Sequence, residues 1–226
     1  MGKLFKFDSH LHTAESSHCG FISGGDLVDL YYELGYNGIA ITDHLHEGLI
    51  SSFNCRNDWN ACVDLFLTGY KRALRQGEKI GLSVILGAEL RFNKPNSNDY
   101  LIYGIDEEFL RKNPYPFRLG PSEFFKRFAD EVLIIQAHPF RDGNETVFVD
   151  CIHGIELFNP NRRHDNYDEK GMELSKNNPD LYLFSGSDVH RACDLACGWM
   201  LFKEPITNSK ELHEAVKRND YFLGHA

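Results

Sequence analysis

The sequence predicts an α/β fold built on a largely parallel sheet. Short apolar runs and amphipathic stretches alternate about seven times along the chain. No Pro/Gly/Ser linker, low-complexity segment or fixed-period repeat interrupts that alternation, so a single domain over residues 1–226 is expected. No Gly-x-Gly-x-x-Gly follows the first apolar run, which weighs against a dinucleotide-binding sheet. A closed or distorted barrel and an open doubly wound sheet both satisfy these observations.

The elements follow in order. Residues 4–8 form the first strand. In 25–34, Leu27, Val28, Leu30, Tyr31 and Leu34 recur at helical spacing, with Asp26 in the first turn and Gly35 past the end. Residues 38–42 are a buried strand. Residues 58–75 read as one long helix, with Ala61, Leu65, Tyr70 and Leu74 as core positions. Strands are expected at 82–88 and 100–105, then a helix at 121–129 opened by Pro-Ser. Strands at 132–137 and 154–158, a helix at 167–177, strands at 181–185 and 199–202, and a helix at 209–217 complete the pattern.

At 226 residues and 25.9 kDa the chain is long enough to bury a sizeable core. A transmembrane helix needs about 20 consecutive apolar residues, and the longest apolar runs here are far shorter, so no membrane association is expected. The first residues lack an apolar signal segment. None of the six cysteines forms a Cys-x-x-Cys pair, so reduced thiols and a cytoplasmic location are expected. A net charge of −9 makes nucleic acid an unlikely partner, because a polyanion is repelled unless bound cations reverse the local field.

Most strands end in a residue that binds metals. The first runs into Asp8-Ser9-His10-Leu11-His12, whose two histidines, two apart on an extended chain, share a face. The next ends at Asp43-His44, the third at Glu89, a later one at His138-Pro139. Residues 154–158 run on to Asn159, and the last set is Asp188-Val189-His190. A parallel barrel gathers these strand ends at one mouth. Histidine and carboxylate donors without cysteine suit zinc, manganese or iron.

These pieces, in this order, resemble the PHP (polymerase and histidinol phosphatase) family. The matching motifs are Asp8-Ser9-His10-Leu11-His12-Thr13, Ile41-Thr42-Asp43-His44, Gly87-Ala88-Glu89, Ala137-His138-Pro139 and Ser185-Gly186-Ser187-Asp188-Val189-His190. They span residues 5 to about 202. The resemblance implies a distorted (β/α)7 TIM-like barrel, two or three divalent metal ions, and hydrolysis of phosphate esters. It implies one metal on His10, His12, Glu89 and Asp188, with Glu89 bridging to a second held by His138. A third would take His18, His44 and His190. Three-metal members carry a further histidine after the fourth strand. Here that region reads Ile102-Tyr103-Gly104-Ile105-Asp106, where Asp106 is either a replacement or, as favoured, a helix N-cap.

The expected activity is that of a metal-dependent phosphoesterase acting on a small phosphorylated molecule through a metal-activated hydroxide. Asp43 is read as orienting a ligand histidine. Arg141, beside His138-Pro139, is expected to hold a phosphate, with Asn159 and Arg162 in a neighbouring loop. Glu156 is read as a buried contact rather than a ligand, and Cys19 and Cys193 as packing residues. Substrate choice is expected to lie in loops 45–57, 93–99 and 159–167. The alternatives are a nuclease-like or C–N/C–O hydrolase on the same centre, and a catalytically silent metal-binding domain. Oligomeric state is left open.

Overall fold

The computed structural model describes residues 2–55, 57–95, 98–144 and 147–226. Arg56, Asn96 and Ser97, which belong to two of the loops named above, lie outside the described residues. The chain runs β1 (Phe5–Leu11), α1 (Gly24–Glu33), β2 (Gly38–Ile41), β3 (His44–Leu45), α2 (Glu47–Ser52), α3 (Trp59–Phe66), α4 (Thr68–Ile80) and β4 (Ser83–Arg91). It continues through β5 (Asp99–Tyr103), α5 (Glu107–Lys112), α6 (Pro121–Phe128), β6 (Leu133–Gln136) and β7 (Gly154–Phe158). It closes with α7 (Asp168–Asn177), β8 (Tyr182–Ser185), β9 (Gly198–Phe202), α8 (Ser209–Lys217) and β10 (Tyr221–His225).

The strands form one sheet in the order β10-β9-β1-β2-β4-β5-β6-β7-β8, with β3 added to β4. The sheet curls until its ends meet. Ser9 Oγ donates to the Ser185 carbonyl at 3.1 Å, Ser185 Oγ donates to the Gly224 carbonyl at 2.8 Å, and Leu11 bridges Val189. The result is the expected distorted (β/α)7 barrel. Alternation along the strands sorts its side chains. Leu101 and Tyr103 of β5 join Phe7, Ala40, Ile85, Ile135 and Phe184 in one cluster, while Tyr100 and Ile102 join the cluster that includes Trp59 and Phe117. A third cluster packs Leu27, Val28 and Tyr31 of α1 on Ile39 and Ile41 of β2.

Two expectations need correction, and the largely parallel sheet also holds antiparallel members: β5 runs antiparallel to both β4 and β6, and β9 and β10 are antiparallel as well. Residues 92–98 are too few for a crossover, which needs a dozen or more residues, so β4 turns back on itself as a hairpin. The long helix expected at 58–75 is two helices, broken at Leu67. Ser16 enters the joint, donating to the Leu65 carbonyl at 3.4 Å and accepting from the Gly69 amide at 3.0 Å. Finally, not all thiols are reduced. Cys55 and Cys62 are joined by a disulfide, the turn ahead of α3 having brought their Cα atoms to 5.4 Å. Asp106 caps α5, accepting from the Phe109 amide at 2.7 Å, as favoured. No described helix is long and apolar enough to cross a membrane.

Candidate metal centre

The donors meet at the mouth because the strands that carry them end there. His10 and His12 lie at the end of β1, His44 in β3, Glu89 in β4, His138 just past β6, and Asp188 and His190 beyond β8. Asp8 ties the first motif to the last. Its carboxylate accepts from Tyr31 Oη at 2.6 Å, from the His10 amide at 3.2 Å and from the Ser187 amide at 3.0 Å, and from the Ser187 hydroxyl as well. Burial outweighs these bonds and pushes the Asp8 carboxyl up to about 6. His138 and Asp188 both hold a left-handed backbone, at φ 29° and 51°, which side-chain-bearing residues adopt at a cost of roughly 1–3 kcal/mol.

The polar atoms converge closely. His10 Nε2 lies 3.1 Å from His12 Nε2, 3.6 Å from Glu89 Oε1 and 3.5 Å from Asp188 Oδ1. His12 Nε2 is 3.3 Å from both Glu89 Oε2 and Asp188 Oδ1. Glu89 spans the site, its Oε2 2.7 Å from His44 Nδ1 and its Oε1 3.0 Å from His138 Nε2. His190 Nδ1 is 3.4 Å from Asp188 Oδ1. Three overlapping donor groups result: His10 with His12 and Glu89, His12 with His44 and His190, and Glu89 with His138 and Asp99, each with its donor atoms within 4.8 Å of one another.

The electrostatics of the bare chain reflect this crowding. Burial pushes the Glu89 and Asp188 carboxyls up, but His44 and His10 beside Glu89, and His10 and Arg141 beside Asp188, hold both well below the usual range. Burial opposes charge on His10, yet Glu156, Asp188 and Glu89 raise it well above an ordinary histidine. Burial and the His44 charge drive His12 well below. The donor set fits divalent cations. It combines imidazole nitrogens with carboxylates, and Glu89 Oε2 and His44 Nδ1 are buried atoms that lack a well-formed hydrogen bond.

A second layer of contacts fixes the donors. Glu156 Oε1 takes His10 Nδ1 at 2.9 Å, leaving Nε2 to face the cluster, while its Oε2 accepts from the His138 amide and from Asn159 Nδ2. Asp43 touches no donor ring directly. It accepts from the Thr13 amide, Thr13 Oγ1 and Ser17 Oγ, each at 2.7 Å, and Ser17 Oγ lies 3.4 Å from His12 Nδ1. Burial pushes the Asp43 carboxyl up to about 6 against those hydrogen bonds. Arg141 donates to Asp188 Oδ2 at 2.7 Å, to Asn159 Oδ1 at 2.9 Å and to Asn166 Oδ1 at 3.0 Å. Arg162 is exposed, its charge felt at the Cys197 thiol.

The structure does not bring His18 to the cluster. That ring is exposed, its Nε2 2.8 Å from Ser52 Oγ and its face 6.3 Å from the Phe53 ring. The next residue, Cys19, is half-buried; burial raises its thiol, but the neighbouring His190 and His44 imidazoles outweigh this and bring it down to about 7. Sequence reasoning also missed Asp99. It sits at the first residue of β5, clamped by Arg91 at 2.6 and 2.7 Å, and reaches the mouth because β5 is reversed.

A family model for the PHP domain matches residues 8–191. No curated protein sequence matches the chain. Among solved structures, it resembles a two-domain protein from Bacteroides vulgatus ATCC 8482 that contains a predicted PHP-like metal-dependent phosphoesterase. The TM-score is 0.67 at 19% identity, over 99% of this chain and 65% of that one, so this chain spans about two thirds of that protein's length. It also resembles PsfC from Pseudomonas syringae PB-5123, with a TM-score of 0.68 at 13% identity over 100% and 93% of the two chains. A third likeness is to an amidohydrolase from Chromobacterium violaceum with bound sulfate and no metal, with a TM-score of 0.55 at 14% identity over 96% and 97%. At such identities these likenesses speak to the fold, and the match of motif, order and position over residues 8–191 places the chain in the PHP domain family.

Proposed function

We propose that the protein is a metal-dependent phosphoesterase that hydrolyses a small phosphorylated molecule, the whole chain acting as one catalytic domain. The observation that carries this reading is the run of three overlapping donor groups across Glu89 and His12 at the barrel mouth. Two or three divalent cations (zinc, manganese or iron), held by His10, His12, His44, Glu89, His138, Asp188 and His190, would supply Lewis-acid charge and lower the pKa of a water to about 7.

The chain's own groups prepare that site. His10, His12, Glu89 and Asp188 have side chains no more than 1% exposed, whereas Arg141 and His44 are 16% and 17% exposed. Substrate therefore approaches over the Arg141–His44 side. Arg141 orients Asp188 and adds fixed positive charge where a phosphate would sit. Asn159 holds Arg141 and Glu156 in one hydrogen-bond chain. Asp43 positions the Thr13–Ser17 turn, and through Ser17 the His12 ring. A local cationic pocket explains how a chain of net charge −9 takes an anionic substrate. The same net charge favours a small molecule over nucleic acid.

Elemental analysis of the purified protein, paired with a phosphatase screen before and after chelation, tests the reading. The screen covers p-nitrophenyl phosphate, sugar phosphates and nucleotides, with single-stranded DNA and simple amides as contrasts. Bound metal, with phosphate release lost on chelation and in His10→Ala and Asp188→Ala, supports it. Bound metal with amide or DNA cleavage instead of phosphomonoester cleavage replaces it by that chemistry. Absence of both metal and turnover after zinc, manganese or iron is supplied overturns it.

A further inference from the structure

We infer that Asp142 and His164 are positioning residues: together they latch the loop after β7 onto the turn after β6, and the latch fixes the guanidinium of Arg141 for a substrate phosphate. The inference rests on the phosphoesterase reading above and names the groups that hold its phosphate-binding arginine.

Two segments meet at this wall of the mouth. Residues 141–144 make a tight turn, in which the Arg141 amide donates to the His138 carbonyl at 3.1 Å and the Asn144 amide to the Arg141 carbonyl at 3.0 Å. The facing loop, residues 159–167, bears only polar side chains over its exposed stretch from Arg162 to Asp165, so polar contacts hold it. Its first half is tied by Asn161, which donates to the Asp188 carbonyl at 3.3 Å, and by Arg163, which donates to Asp194 Oδ2 at 3.2 Å. Its second half is tied to residues 141 and 142. The Asp142 amide donates to the Asp165 carbonyl at 2.8 Å, and Asp142 Oδ2 lies 2.8 Å from His164 Nδ1. Asp142 Oδ1 accepts from the Asp165 amide at a longer 3.4 Å. The His164 hydrogen bond is the main reason that the Asp142 carboxyl lies below the usual range.

The two side chains of the turn divide the loop between them. Asp142, 59% exposed, takes its outer end, and Arg141, 16% exposed, takes its inner end. Arg141 Nε donates to Asn166, and Nη2 donates to Asn159 and Asp188, while Asn166 donates in turn to the Asn159 carbonyl. Among the described residues nothing pairs with Nη1, which is left for an incoming phosphate. The direction of that free edge depends on where Asn166 sits, and Asn166 directly follows the two residues that Asp142 grips. With the loop latched, Arg141 is ordered before phosphate arrives, so binding costs less side-chain freedom. With the latch open, Asn166 withdraws and Arg141 gains rotamers that turn away from the mouth.

Inorganic phosphate is the probe, titrated by calorimetry into metal-loaded protein, with KM and kcat for p-nitrophenyl phosphate measured alongside. Asp142 has a left-handed backbone, at φ 53°. It is therefore removed as Asp142→Gly and restored as Asp142→Asn, since both residues tolerate that conformation and the asparagine keeps an oxygen for His164. Asp142→Gly and His164→Ala are each expected to weaken phosphate binding and raise KM about two- to fivefold, the range for an exposed ion pair, with the effect falling on KM rather than kcat. The double variant is expected to bind no more weakly than either single one, and Asp142→Asn to bind as the wild type does. In protein labelled with nitrogen-15 arginine, the Arg141 Nε–H signal, assigned by its loss in Arg141→Lys, is expected to exchange with water faster in both single variants. Circular dichroism and metal per chain confirm that each variant is folded and loaded. Phosphate affinity equal to wild type in both single variants overturns the inference, as does an unchanged Arg141 signal, and either leaves the phosphoesterase reading intact. Wild-type protein that holds metal yet binds no phosphate and hydrolyses no phosphomonoester overturns both.

Discussion

His10 Nε2 and His12 Nε2 face each other at 3.1 Å inside the barrel, on rings that are fully buried. Two neutral imidazoles cannot both present a lone pair across that gap without a proton or a cation between them. Glu156 settles the matter on one side by occupying His10 Nδ1. In the bare chain Glu156, Asp188 and Glu89 favour the charged form of His10 against burial, while burial and the His44 charge disfavour that of His12. A divalent ion replaces that proton, so cation binding and proton release are coupled.

Because the cation binds the folded donors only, it stabilises the fold. At free metal about 100 times above its Kd the expected gain is about 2.7 kcal/mol. Urea unfolding with and without chelator measures it, and equal midpoints in the two conditions would contradict the metal centre.

Glu156→Gln keeps the shape of the side chain but weakens its hold on the His10 ring. Removing such a supporting carboxylate costs about 10- to 100-fold in metal affinity or turnover. Competition with a chromophoric chelator reads the affinity directly. An unchanged affinity would remove Glu156 from the centre.

Gly69→Ala acts from outside the site. A Cβ there would fall 1.9 Å from Thr13 Oγ1, the hydroxyl that donates to Asp43. Overpacking of this kind costs about 1–3 kcal/mol, and here it also shifts the turn that carries Ser17 and Cys19. Both urea stability and metal affinity are expected to fall together. A loss of stability with affinity unchanged would show that the turn moves independently of α4.

Phe124→Ala tests the core away from the mouth. The ring is 1% exposed and packs 4.9 Å from Phe128 and 5.5 Å from Phe92. Truncation is expected to cost about 3–5 kcal/mol in urea unfolding, with metal content per folded chain retained.

Acid sensitivity has a second source far from the metal donors. Burial and the neighbouring His213 charge lower His153, whose Nδ1 accepts from the Ile134 amide at 3.0 Å, against opposing help from the Ala129 backbone and Asp130. Burial and Lys217 lower His213 against Glu214. Both folded values lie below the unfolded value of 6.5, so the unfolded chain binds more protons. Their contribution is present above that value and is lost as pH falls through it. His213→Gln is therefore expected to make the fall in urea midpoint between about pH 7.5 and pH 5.5 shallower in chelated protein. A slope as steep as that of the wild type would count against the pair.

The parts of the site that the sequence made legible are those on regular elements. The two-residue spacing of His10 and His12 reads directly as one face of a strand, and Glu89, His138 and Asp188 end or follow apolar runs that could only be strands. Asp99 was not legible because strand direction leaves no mark on an apolar run, and a reversed strand puts its first residue where a parallel one puts its last. The outward placement of His18 hangs on a loop fixed by Thr13, Ser17, Asp43 and Gly20, contacts that local pattern does not reveal. The break at Leu67 was hidden for a similar reason: the group that opens the helix joint is Ser16, about fifty positions away.

The reversal of β5 also exchanges the duties of the two connections that flank it. In a uniformly parallel barrel the segment leading into a strand lies on the floor and the segment leaving it shapes the entrance. Here the reverse holds: the described residues 92–95 and 98 border the entrance, while Gly104 and Ile105 turn at the far end. Length variation in 92–98 is therefore a route to new substrate preference, and variation at 104–105 is invisible to the substrate.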